Sequence, residues 1–168
     1  MQRLAETRLD ILAALYRRLQ LQLLIVADDA PIPGSYWGAP EAGLIGQTLY
    51  VRSDTPVHSL LHETCHVLLA RARGEHGLHT DAGGSDLEEC AVCVLQIHFA
   101  DHVPGSSAQR LMADMDAWGY SFRLGSTEAW FNEDAEDARQ WLAQHAQAAR
   151  VPDWLYSPAP DAAASVAA

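Results

Sequence analysis

The sequence has no lysine. All 11 of its basic residues are arginine, set against 22 aspartates and glutamates, and the formal net charge is −11 at neutral pH. A chain with that balance is poorly suited to a phosphate backbone, which argues against a nucleic-acid partner. Cysteine is scarce too. Cys65, Cys90 and Cys93 are an odd number without the spacing of a secreted disulfide framework, and this points to a reducing compartment, the cytoplasm. Long apolar runs are also missing. The longest near the N-terminus, residues 23–27, is too short for a signal-peptide core or a membrane span, so no membrane partner is expected. No internal repeat or second-domain boundary is visible.

What remains is a chain of 168 residues that is 49% apolar, long enough to bury roughly 70% of its unfolded surface in one core. The reading is a single α+β domain over residues 1–156 and a flexible, proline- and alanine-rich tail over 157–168. Residues 3–18 carry leucines and Tyr16 at helical spacing between arginines, the pattern of an amphipathic surface helix. Residues 20–27, 35–38 and 43–52 read as three short strands. From Thr55 the period turns helical, with Pro56 in the first turn, and continues to about Arg71. A glycine-rich loop over 74–84 precedes a second helix, 86–100, whose stretch 90–95 is apolar all round and therefore buried on every side. Further helices are expected over 106–118 and 127–149.

The informative segment is His58-Ser-Leu-Leu-His62-Glu63-Thr-Cys-His66. It contains H-E-x-x-H, and on a helix residues four apart share a face, so His62 and His66 can hold one metal ion at about 2.0 to 2.1 Å each. Glu63 lies about 100° further round, placed to take a proton from water beside the metal without being a ligand. Zinc is the ion this chemistry calls for, one per chain: a Lewis acid that brings the pKa of bound water to about 7. Val57, Leu61, Cys65, Leu68 and Ala72 are spaced to pack the opposite side of the helix inward.

A catalytic zinc usually takes a third protein ligand. Asp86, Glu88 and Glu89 open the next helix, and charged groups at the edge of an apolar core require a partner or a metal. Ser85-Asp-Leu-Glu88 also fits a capping box, and His79 or Asp81 in the loop are further candidates. H-E-x-x-H followed about twenty residues later by Glu88-Glu-Cys-Ala91 resembles the glutamate-type zincin metallopeptidases. Among them the small ImmA/IrrE-like cytoplasmic proteases are the most similar in order of elements, over residues 20–103. The resemblance implies a minimal zincin-like domain in which His62, His66 and Glu88 bind zinc and Glu63 is the general base. Its substrate would be a peptide or protein. Cys65 stands where these families usually have a small residue, and Val92 where they often have Asp or Asn, so the polar partner of one histidine is missing or supplied elsewhere.

Other residues carry weaker signals. His58, one turn before His62, could orient substrate or simply be solvated. Cys90 and Cys93 read as small core residues. His98 and His102 form a second i, i+4 pair without a glutamate between them. Tyr120 and Arg123 are candidates to face a developing oxyanion, and the strand 43–52 could present an edge to an extended peptide. The resulting expectation is a zinc peptidase. The alternatives are a catalytically silent zinc-binding regulatory or partner-binding domain, and a helical interaction protein with a fortuitous motif.

Overall fold

The computed structural model describes residues 1–75 and 84–156. Among these residues the fold is α+β, with a three-stranded mixed sheet and seven α-helices. A 3-10 turn, Leu4–Glu6, leads into α1 (Leu9–Arg18), followed by β1 (Gln22–Ile25), β2 (Gly43–Ile45) and β3 (Thr48–Val51). Helix α2 (Val57–Ala70) ends in a 3-10 turn, Arg71–Arg73, and α3 (Asp86–Ala100), α4 (Ala108–Trp118), α5 (Thr127–Glu133), α6 (Glu136–Ala146) and α7 (Asp153–Tyr156) complete the order. No helix among the described residues is long and apolar enough to cross a membrane. The expected tail, 157–168, lies outside the described residues.

The sheet has three strands, but not the three expected. Residues 43–52 fold as a hairpin that turns at Gly46 and Gln47, pairing Ile45 with Thr48, and β3 lies in the centre, antiparallel to β2 and parallel to β1. Residues 35–38 form no strand. The chain just before them runs along the outer edge of β2, where Leu44 N–H donates to the Gly34 carbonyl at 3.2 Å. The approach is so close that a side chain at Gly43 would collide with the Pro33 carbonyl oxygen. Residues 43–52 therefore offer no open edge of the kind expected: β3 is paired on both sides and β2 is covered at Gly34.

Two expected helices are each broken by tertiary contacts that outweigh local periodicity. The segment 3–18 is interrupted because its first residues clip onto the approach to α2: Leu4 N–H donates to Thr55 O, Val57 N–H donates to Gln2 O, each at 3.0 Å, and Arg3 forms a bridge with Pro56. The segment 127–149 breaks between α5 and α6, where Asp134 leaves helical geometry with φ −134° and its carboxylate is gripped by the Arg123 guanidinium.

One apolar core extends from Leu4 to Leu155, and α2 and α3 are its centre. Residues Ala91 to Ile97 of α3 are buried on every face, which the apolar stretch 90–95 favours and Gln96 joins. Tyr16 of α1 locks these helices together. Its hydroxyl lies 2.6 Å from Thr64 Oγ1, which itself donates to the Leu60 carbonyl at 2.7 Å, and its ring stacks on Phe99 at 6.2 Å. A satisfied buried hydroxyl of this kind contributes about 1 kcal/mol net. It also fixes the face of α2 that carries the histidines.

Candidate metal centre

His62 and His66 stand four positions apart, so both rings leave the same face of α2, and they turn toward α3. Their Nε2 atoms are 3.1 Å apart. Glu89 of α3 closes the group, with Oε2 at 3.3 Å from His66 Nε2 and 3.8 Å from His62 Nε2. Two donors bound to one tetrahedral ion at 2.0 to 2.1 Å would be about 3.3 Å apart. The three edges of this triangle bracket that value, and among the described residues it is the group of three histidine, cysteine or acidic side chains suited to a metal ion.

The charge states suit the same purpose. Burial, reinforced by the neighbouring His66, lowers the pKa of His62 and keeps its imidazole neutral, the form that offers a lone pair. For Glu89, burial pushes the carboxyl upward, but its hydrogen bond to His66 and the field of His66 outweigh it, so the group is held below its ordinary value. Its second oxygen, Oε1, accepts from the Gly84 N–H at 3.3 Å.

The carboxylate that meets the histidines is thus Glu89, one position beyond the expected Glu88. The reason is rotational. Residue 88 lies about 100° round the helix axis from residue 89, and its carboxylate turns back to form an ion pair with Arg73. It packs so tightly over Gly84 that a Cβ there would come within 2.5 Å of it. Half of the capping box is also present, since Ser85 Oγ accepts from the Glu88 N–H at 3.3 Å. The loop candidates His79 and Asp81 lie outside the described residues.

Gln96 was not singled out in the sequence, yet it supplies the polar partner that Val92 does not. It is fully buried two turns after Glu89 on α3, and its Oε1 lies 2.9 Å from His62 Nδ1. A carbonyl oxygen can only accept, so Nδ1 carries the proton and Nε2 is left free to face His66 and Glu89. The Gln96 amide nitrogen in turn meets Met115 Sδ at 3.0 Å. A signal was available: Gln96 is the one uncharged polar side chain inside the apolar run that makes α3 the core helix, and such a residue must find a partner.

The remaining candidates divide. Glu63 is half-buried on α2 and acts electrostatically on Tyr120, whose ring centre lies 6.0 Å from that of His62. Burial pushes the Tyr120 phenol upward, so it stays protonated and able to donate. Arg123, the other oxyanion candidate, is taken by Asp134. His58 is not solvated: it is 1% exposed, packs against Trp118 and Tyr120, and neither ring nitrogen has a hydrogen-bond partner. Cys93 is buried and Cys90 packs half-buried against the core. In comparisons with known proteins, no family model, no curated protein and no solved structure matches this chain. The site rests on its own chemistry.

Proposed function

We propose that the protein is a zinc-dependent metallopeptidase in which His62, His66 and Glu89 hold the ion and Glu63 is the general base. The observation that carries this reading is the triangle of donor atoms with edges of 3.1, 3.3 and 3.8 Å. Two imidazoles and one carboxylate are a donor set typical of catalytic zinc. The resemblance to glutamate-type zincins supports it, with Glu89 taking the place of Glu88.

Zinc in such a site polarises a carbonyl and acidifies water. The chain's own residues do the rest. Gln96 fixes the His62 ring with its Nε2 lone pair inward, and burial keeps that ring neutral. Glu63, next in sequence to a ligand but directed round the helix, accepts a proton from the attacking water and returns it to the departing amide nitrogen. Tyr120 keeps its hydroxyl proton and donates it in a hydrogen bond to the carbonyl oxygen as negative charge develops there.

The test begins with protein purified without a metal-affinity column. Elemental mass spectrometry should find about one zinc per chain, and a peptide library should be cleaved. Glu63→Gln should keep the zinc and lose about 10²- to 10⁴-fold in turnover, the usual contribution of a general base. Zinc bound without cleavage of any library would instead define a metal-binding domain, and absence of zinc after it is offered would remove the reading altogether.

A further inference from the structure

A second feature lies where α1, α2 and the segment after α6 end together. Arg18, Gln20, Gln47, Arg71, Arg150 and Pro152 line a cleft of about 450 Å³, a volume within the range of small-molecule sites. No acidic side chain lines it. We propose that this cleft binds a small phosphate-bearing anion between Arg18, Arg71 and Arg150.

The distribution of charge is the first argument. Acidic residues outnumber arginines two to one, and Arg8, Arg52, Arg73, Arg110 and Arg123 each pair with a carboxylate. Among the described residues, Arg3, Arg17, Arg139 and the three arginines of the cleft form no ion pair, and the cleft brings three of these six together. Positive charge has been left together and uncompensated in a strongly acidic molecule, and a concave surface concentrates its field.

Two of the guanidiniums are also held in place in advance. Arg71 donates through Nη2 to the Leu19 carbonyl at 2.9 Å and to Gln47 Oε1 at 3.3 Å. Arg18 lies over the Trp154 ring, 4.6 Å from its centre. Helix ends present unpaired carbonyls that would repel an anion. Arg71 covers the Leu19 carbonyl at the end of α1, so that this carbonyl is not left bare beside the cleft.

The backbone gives a third argument. Gln20 and Arg150 have φ of 58° and 55°, the left-handed conformation in which helices usually end on glycine because other residues are strained there. Each closes a helix, with Leu21 N–H donating to Tyr16 O at 3.0 Å and Val151 N–H to Ala146 O at 2.9 Å. At both positions the chain carries a long polar residue instead of glycine, and both residues line the same cleft.

The chemistry of the ligand follows from the number of forks. One guanidinium satisfies a carboxylate in a bidentate pair. Three guanidiniums arriving from separate segments suit a phosphoryl group, which carries nearly two charges and three peripheral oxygens. The proposal does not depend on the metal centre.

Isothermal titration calorimetry on the full chain, with inorganic phosphate and pyrophosphate as probes at constant ionic strength in chloride, tests it. Saturable binding of one anion per chain is expected. Arg18→Ala/Arg150→Ala should weaken it at least tenfold, and His62→Ala/His66→Ala should leave it unchanged. If the double arginine variant has no melting transition, Arg150→Gln is read in its place, with at least a threefold loss expected. The proposal is overturned if neither probe saturates, if binding survives the arginine variants, if it requires His62 and His66, or if citrate, a carboxylate probe, binds as tightly as pyrophosphate.

Discussion

Two pairs of histidines stand four residues apart, one on α2 and one at the end of α3, and they differ in everything except spacing. On α2, His62 and His66 turn their Nε2 atoms toward each other, a carboxylate from α3 closes the group, and a buried amide fixes one ring from behind. At the other site, His98 of α3 packs edge-on against Phe131 at 5.5 Å, and His102, in the turn beyond the helix, packs against Trp154 at 5.1 Å. Asp101, the carboxylate between them in sequence, is already used at the start of α4, where it accepts from the Ala108 N–H at 2.7 Å. The sequence spacing is the same in both cases, although α3 ends before His102. What makes one pair a candidate metal centre is what the neighbouring elements bring to it: a free carboxylate and a hydrogen-bond acceptor for the first, aromatic rings for the second.

The comparison is broken most directly by exchanging which pair is removed. His62→Ala/His66→Ala should abolish stoichiometric zinc and, with it, the stabilisation that a bound ion gives the native state, read as the loss of any difference in melting temperature with and without chelator. His98→Ala/His102→Ala should leave zinc content unchanged. If zinc instead followed the second pair, the assignment of the centre would be wrong.

The next largest effect separates two adjacent glutamates. Removing the carboxylate at Glu89, by Glu89→Ala, deletes one of three donors and should weaken zinc binding by about 100-fold or more, more than the 10- to 100-fold typical of a supporting residue. Glu88→Gln should change zinc affinity less than threefold. Its cost should fall on stability, about 1 kcal/mol by urea denaturation, since its partner Arg73 is partly exposed and the pair is screened accordingly. Equal losses of zinc in the two variants would mean that the metal draws on both. Gln96→Leu then tests the brace behind His62. It fills nearly the same volume but cannot accept from Nδ1, and zinc affinity should fall 10- to 100-fold with the fold intact.

These variants also mark what could and could not be read before the fold was known. The H-E-x-x-H spacing, the buried character of 90–95 and the α+β order were legible because each is a local pattern whose physical cause repeats along the chain. The choice of Glu89 over Glu88 was not, because it depends on where Arg73 arrives from another element and on the close approach of Gly84. Gln96 was half legible: a lone amide in an apolar helix announces a partner without naming it. The misassigned strand at 35–38 and the broken helices failed for the same reason. Residues 33–35 lie against β2, Gln2 to Leu4 against the approach to α2, and Asp134 against Arg123, and each is a contact between segments far apart in local pattern.

His58 sharpens the comparison from the other side, as a histidine of α2 whose ring nitrogens are hydrogen-bonded to neither a carboxylate nor any other acceptor, although Asp114 is near enough to act on it electrostatically. Its ring is buried with both nitrogens unpartnered, and burial lowers its pKa to about 4 from an ordinary value near 6.5. Protons are then bound by the unfolded chain before the folded one. Well above pH 6.5 the ring adds no pH dependence, and stability is lost as the pH falls through 6.5 toward 4, by about 1 kcal/mol at pH 5.5. Zinc linkage is removed by working in excess chelator, so that urea denaturation at pH 7.5 and 5.5 compares wild type with His58→Phe. The phenyl ring matches the packing against Trp118 and Tyr120 and buries no unpaired nitrogen. The variant should be at least as stable as wild type at pH 7.5 and should lose about 1 kcal/mol less on acidification. An identical loss in both would mean that His58 reaches solvent or a partner in the folded protein, and that isolation from any acceptor does not distinguish it from His62.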